Sequence, residues 1–294
     1  MVGGSGFIGR RLVEQLVHRG ASVRIISRHA AHEGGPAPQI EPVVGSIEDP
    51  STIARAVDGA WAVVNLVGTT AAKSERQFYS LHRDIPRRLA EAARLSGVRR
   101  FIHVSAMGIG IDAPSAADRS KAAGETAVRE AFPDANLVRP ALVYGAGDHF
   151  FTLFAQLARS APAIPLIGSG RTRFQPMHVD DVAEAMARVL EEPGTAGRLF
   201  ELGGSEIFSF RELIERLCGV IGRRPWLVPI PFPVAEAAAF ATQWLPHAPL
   251  TVDQVRLLKT HKVIRDPQSA PAALGIRPRP LESFLSELGK HYSR

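Results

Sequence analysis

The chain has 294 residues, 45% of them apolar and 22% charged, which is enough to bury a full core and too apolar for an intrinsically disordered chain. Its net charge of +6 is spread evenly: residues 1–147 carry 18 Lys and Arg against 14 Asp and Glu, and residues 148–294 carry 17 against 15. That distribution argues against a nucleic-acid binder and fits either ordinary solvated faces or docking onto an anionic partner or lipid surface. A lone cysteine, Cys218, excludes intramolecular disulfides and Cys-rich metal sites and points to a reducing compartment. No apolar run approaches the roughly 18–20 residues of a spanning helix, and the first ten residues form a glycine motif rather than a secretory leader, so a soluble or peripheral protein is expected.

Short β-branched runs at Ser22–Ser27, Pro42–Gly45, Ala60–Val67, Arg100–Ser105 and Asn136–Arg139 alternate with helical patterns. Such alternation predicts βαβ units and a parallel sheet. The runs VVNLV and FIHVS are apolar almost throughout, as strands covered on both faces must be, so the sheet is expected to be doubly wound and Rossmann-type. Only Met1 and Val2 precede the glycine motif, so either the first strand is cut short or the recorded start is downstream of the true one.

Beyond Gly145, Pro-rich stretches separate short helices at Phe208–Ile221, Val234–Trp244 and Thr251–Lys259. The expected organisation is a nucleotide-binding domain over residues 1–145, with 171–192 returning to it through Met177–Leu190, and a smaller, mostly helical lobe from 146–170 and 193–294. The stretch Pro229–Pro249, with Phe232, Phe240 and Trp244, is the most apolar part of that lobe. It is either a packed helix or an exposed docking face.

Glycines at 3, 6 and 9 stand immediately before the helical pattern RRLVEQLVHRG. In this arrangement Gly3 permits a tight turn, Gly6 lets the backbone approach a pyrophosphate, and Gly9 lets the helix pack close to the sheet. The free N–H groups of the helix terminus favour an anion, so Ser5, Phe7 and Ile8 join the three glycines as candidate cofactor contacts. The second strand ends in Ser27 and Arg28, where an NAD-preferring protein places Asp or Glu for the ribose hydroxyls. A guanidinium there suits a 2′-phosphate, which favours NADP(H) over NAD(H); the plainer alternative for Arg28 is a surface arginine beside the loop His29–Gln39.

The segments GGSGFIG, VVNLVGT, GVRRFIHVSAMG, SAADRSKAAGE, LVRPALVYG and RFQPMHVDDVAEA together resemble an extended-type short-chain dehydrogenase/reductase over nearly the whole chain. Residues 82–260 are most similar to the atypical branch that includes the NADPH-binding accessory subunit of respiratory complex I and its bacterial relatives. The resemblance implies that Lys121 holds the nicotinamide ribose, that Ser105 near the end of the fifth strand orients a substrate carbonyl, the alternative being an ordinary strand-end hydroxyl bonded to the local loop, and that Ser46 and Ile47 lie at the adenine. It implies as well that Val67 and Gly68 allow close backbone approach to the cofactor. Two positions depart from the superfamily. Four residues before Lys121, where a tyrosine would transfer the proton, stands Ala117, and Ser46 replaces a common Asp. Asp118 is turned about 100° from the missing hydroxyl. Tyr144, at the end of the sixth strand, is the candidate substitute, followed by Tyr79 and by His178 beside Asp180 and Asp181; for His178 the alternative is a corner where a carboxylate caps the next helix.

Retained Gly3, Gly6, Gly9, Arg28 and Lys121 with a lost tyrosine lead to one expectation. It is a non-catalytic NADP(H)-binding accessory protein, its nucleotide structural or sensing, docked on membrane-bound respiratory complex I subunits from the cytoplasmic side as a peripheral protein. The alternatives are an active NADPH-dependent reductase or epimerase on a nucleotide sugar, a quinone-like compound or another small carbonyl, and a free NADPH-sensing regulator. No nucleic-acid partner and no metal are expected.

Overall fold

A computed structural model describes residues 1–28, 38–242 and 250–292. Part of the expected loop His29–Gln39, from 29 to 37, and Trp244 with the rest of 243–249 lie outside the described residues.

The chain begins in the middle of the sheet. Val2 donates to the Val64 carbonyl, accepts from the Leu66 amide, and bridges Ile26 on its other side. Gly3 then turns with φ +78° into α1 (Phe7–His18), followed by β1 (Val23–Ser27), β2 (Ile40–Val44), α2 (Pro50–Val57) and β3 (Ala62–Asn65). After β3 come α3 (Glu75–Tyr79), a π-helical turn at Ser80–Asp84, α4 (Ile85–Leu95), β4 (Arg100–Val104), α5 (Ala116–Ala131) and β5 (Asn136–Pro140). The second half comprises β6 (Val143–Tyr144), α6 (Phe150–Ser160), β7 (Ala163–Ile167), β8 (Arg173–Phe174), β9 (Met177–His178), α7 (Val179–Glu191), β10 (Leu199–Leu202) and β11 (Phe208–Ser209). It continues with α8 (Phe210–Val220), β12 (Trp226–Ile230), α9 (Phe232–Thr242), α10 (Val252–Leu257) and α11 (Leu281–Tyr292).

The main sheet runs β2, β1, Val2, β3, β4, β5, β10, all parallel. Its strand order reverses at Val2, the topological switch point where open α/β sheets bind ligands beyond their strand ends. Alternation sorts the side chains: Val63 and Phe101 enter the core under α2, α4 and α5, while Val64, Ile102 and Val138 enter the opposite core under α1 and α7. Both faces are covered, which is why these strands read as continuous apolar runs.

The smaller lobe has its own core of Phe151, Ile164, Phe174, Phe210, Leu213 and Phe284. One expectation is corrected here. Residues 193–294 do not all leave the sheet: Leu199–Leu202 pairs with β5, and its buried Phe200 and Leu202 join the core under α7. The rest of the lobe is mostly helical, with α6, α8, α9, α10 and α11, and it also carries the parallel pair β7–β12, while its β11 pairs antiparallel with β8. No helix among the described residues is long and apolar enough to cross a membrane.

Candidate functional site

The strand ends around Val2 converge on one rim. Gly6 caps α1 with no side chain to accept from the first-turn N–H groups, and no acidic residue occupies that turn. Those donors therefore face outward, ready for an anion. Gly9 has a packing role: a Cβ there would lie 2.8 Å from the Gly4 carbonyl carbon and nearer still to the Gly3 oxygen. Ser5 and Gly6 are exposed at the turn, and Phe7 and Ile8 are half-buried behind it.

Arg28 is exposed at the end of β1, and Ser46 and Ile47 follow β2. The Ser46 hydroxyl accepts from the Glu48 amide at 3.2 Å, so it closes a local turn with one lone pair still available. Ile47 and Val67 pack against the core under α2 and α4.

The loop after β3 is held from two sides. Asn65, fully buried, bonds His103 Nδ1 of β4 at 2.9 Å and accepts from the Val67 amide at 3.2 Å. Two residues further, the Thr69 amide donates to His82 Nε2 at 3.1 Å. Since Nε2 accepts, His82 Nδ1 carries the proton and donates to the Ser120 hydroxyl at 2.8 Å, which donates in turn to the Ala117 carbonyl at 2.9 Å. Burial first, and then the Lys121 charge, lower both His82 and His103 to about 3, so both rings are neutral. His82 sits on the π-helical turn and reaches Ser120 because Gly124 lets the backbones meet; a Cβ on Gly124 would lie 2.9 Å from the His82 carbonyl carbon and nearer to its oxygen. None of this network was anticipated from the sequence, and only the HxxxP spacing of a turn before Pro86 marks His82 in the sequence at all.

Between these anchors lies Gly68. A Cβ on it would sit 3.9 Å from both His82 Nε2 and Lys121 Nζ, which places the lysine across the loop from the glycine. Burial lowers Lys121 to about 8, against the opposing pull of Asp118. Ser105, just beyond β4, is 4% exposed, and its hydroxyl is one of the buried side-chain atoms without a hydrogen-bond partner among the described residues. A buried hydroxyl is rarely left unpaired unless a ligand or water completes it. The open α1 terminus, the close loop at Gly68, Lys121 and the unpaired Ser105 hydroxyl together fit a dinucleotide laid across the rim.

The remaining candidates fall elsewhere. Ala117 is 1% exposed, covered by Phe78 and Leu257, and its amide, with that of Ala116, is capped by the Asp253 carboxylate at 3.2 and 2.6 Å. The segment after α10 adds Lys262, which pairs at 2.9 Å with the buried Asp118. Tyr144 is no substitute proton donor. It lies in the second lobe's core against Phe151 and Phe284, its hydroxyl donates to the Arg279 carbonyl at 3.0 Å, and burial drives its pKa well above the ordinary phenol value. At the corner before α7 it is the His178 ring, not a carboxylate, that caps the helix by accepting from the Asp180 amide, while Asp180 and Asp181 hold Arg279. Tyr79 lies at the end of α3 beneath the Arg83 guanidinium, 5.1 Å from its ring.

Comparison with known proteins places this rim in context. A family model described as the NAD dependent epimerase/dehydratase family matches residues 1–203. The chain belongs to that family. It is 31% identical to the mitochondrial NADH dehydrogenase (ubiquinone) 1 alpha subcomplex subunit 9 of Arabidopsis thaliana, over 99% of this chain and 77% of that protein. It is likewise 31% identical to the ceramide reductase of Caulobacter vibrioides, over 94% of this chain and 88% of the reductase. Among solved structures, the dTDP-glucose 4,6-dehydratase DesIV of Streptomyces venezuelae superposes with a TM-score of 0.77 at 21% identity, covering 99% of this chain and 95% of that one. That level of identity speaks for the shared Rossmann-type fold.

Proposed function

We propose that this chain is a nucleotide-binding accessory protein of a membrane-bound respiratory complex, with NADP(H) held as a structural or sensing ligand rather than turned over. Ala117 carries this reading: the position four residues before Lys121 has no ionisable hydroxyl, and Phe78, Leu257 and the Asp253 cap occupy its surroundings. When bound, the nicotinamide supplies hydride chemistry. The chain's own residues offer binding and orientation: the α1 terminus with Gly3 and Gly6 for the pyrophosphate, Arg28 for the 2′-phosphate, Ser46 and Ile47 for the adenine, the Val67–Gly68 backbone and Lys121 for the nicotinamide ribose. A ligand at 100 times its dissociation constant adds about 2.7 kcal/mol to stability, so a structural nucleotide is energetically sensible. The subunit 9 relative supports a respiratory partner. The location proposed with that partner is peripheral, on the cytoplasmic side of the membrane. Nucleotide released from the purified protein by denaturation tests this directly. Stoichiometric NADP(H) that no carbonyl oxidises is the expected result, and ready turnover refutes it.

A second reading, an active carbonyl reductase, is favoured by the unpaired Ser105 hydroxyl and by the ceramide reductase relative. It requires a proton source other than Ala117 or Tyr144, water being the simplest.

A further inference from the structure

Helix α9 has the sequence FPVAEAAAFAT and is apolar on all sides, a pattern proper to helices buried in protein or lipid. Yet only Ala235 and Ala239 are buried, against Ile167 and Val255, while Val234 is 57% and Phe240 62% exposed. Its single charge, Glu236, is tied to Arg256 and Lys259 of the segment beneath, so the outward face of Pro233, Val234, Ala237, Ala238, Phe240 and Ala241 carries none.

The strand leading into it behaves the same way. Trp226 is 80% exposed and Val228 is exposed opposite the exposed Pro165 of β7. The Trp226 amide points inward to the Pro162 carbonyl, so by the two-residue repeat Pro225, Leu227, Pro229 and Pro231 direct their backbone nitrogens outward. Three of those four have no N–H, which closes this edge to an added strand. Just before it stand Arg223 and Arg224, both exposed and neither with a side-chain ion pair among the described residues.

We infer that α9 and β12 form a lipid-docking surface that lies in the interface of an anionic bilayer, with Val234, Phe240 and Trp226 entering the acyl boundary and Arg223 and Arg224 meeting the headgroups. An interfacial segment of this kind needs an uncharged face, an aromatic at the boundary and flanking cations, and all three occur within residues 223–241. The apolar inner face rests on protein and the apolar outer face rests in lipid, which accounts for the missing amphipathic period. Placement beside a membrane rests on the proposed function; the nucleotide's role does not enter.

Co-sedimentation of the full chain with phosphatidylcholine vesicles, with and without phosphatidylglycerol, tests this, and nucleotide content is read on the same samples. Expected are binding to the anionic vesicles, a loss of about tenfold or more in the double variant Val234→Glu/Phe240→Glu, and about fivefold per residue for Arg223→Gln and Arg224→Gln. Quenching of tryptophan emission by brominated lipid should diminish in Trp226→Phe. These positions are exposed, so the variants should keep the wild-type melting temperature. Wild-type protein that stays in the supernatant at low ionic strength, or a glutamate variant that binds as well as wild type, overturns the lipid surface. A dimer split by the glutamate pair without vesicle binding assigns the face to a second copy and overturns it equally. Failure of vesicle binding with nucleotide still stoichiometric removes this surface alone, whereas turnover of that nucleotide removes the proposed function.

Discussion

The substitution Gly68→Ala separates a ligand-facing glycine from a structural one. Gly68 does not have the positive φ that only glycine accepts easily, and an added methyl would lie 3.9 Å from His82 Nε2 and Lys121 Nζ, an ordinary contact. The nucleotide-free protein should therefore be unharmed, or gain about 0.4–1 kcal/mol because the unfolded chain loses freedom. With nucleotide the methyl intrudes on the space the cofactor needs, at about 1–3 kcal/mol for overpacking. At 100 times the wild-type dissociation constant, wild type gains about 2.7 kcal/mol, and the variant keeps between about 1.7 and 0.3 kcal/mol. At roughly 2 °C per kcal/mol for a chain of this length, the NADPH-induced rise in melting temperature falls from about 5 °C to about 3 °C or less. Differential scanning fluorimetry of stripped protein with and without NADPH reads both quantities. A variant that keeps the full NADPH shift, or that melts several degrees lower without ligand, refutes the assignment of Gly68 to the cofactor face.

Arg28→Glu should weaken NADPH by ten- to a hundredfold, the loss of a charge-assisted contact with repulsion added, and NADH only a few-fold; equal losses by titration calorimetry remove the argument for the 2′-phosphate. Ala117→Tyr restores the superfamily's residue in a place already filled by Phe78 and Leu257, so it should cost about 1–3 kcal/mol and give no carbonyl-dependent loss of NADPH absorbance. A tyrosine accommodated without destabilisation and accompanied by turnover would show that the space is open. Buried neutral His82 and His103, at about 3 in the folded chain against 6.5 when unfolded, make stability pH-dependent. Below pH 6.5 the unfolded state takes up protons that the folded state does not. The contribution is therefore whole above about pH 6.5 and is lost towards pH 3, at about 1.4 kcal/mol per ring for each unit below about pH 6. Guanidinium unfolding at pH 7 and pH 5 should show this slope flattened in His82→Gln/His103→Gln, and an unchanged slope would mean that other groups carry it.

The nucleotide-binding half was legible because its physics is local. Strands covered on both faces read as apolar runs, so β1, β3, β4 and β5 lie within a residue or two of the expected segments, and the glycine spacing before α1 states its own turn. β10 was missed because the five residues between Gly197 and Gly203 carry no pattern of their own until β5 offers an edge. Lys121 and the loss at Ala117 were visible as residue types. What surrounds them was not, since Asp253, Leu257 and Lys262 come from more than 130 residues away.

Tyr144 shows the limit from the other side, for its place at a strand end suggested the rim and packing against Phe151 and Phe284 put it in a core. His82 became part of the site only because a π-helical turn meets α5 at Gly124. Periodicity, turn chemistry and residue type act over a few neighbours and so determined the sheet, the phosphate turn and the missing hydroxyl. Which polar groups are buried together, which pKa values move and which apolar face is left uncovered depend on contacts between distant segments, and those the tertiary structure alone decided.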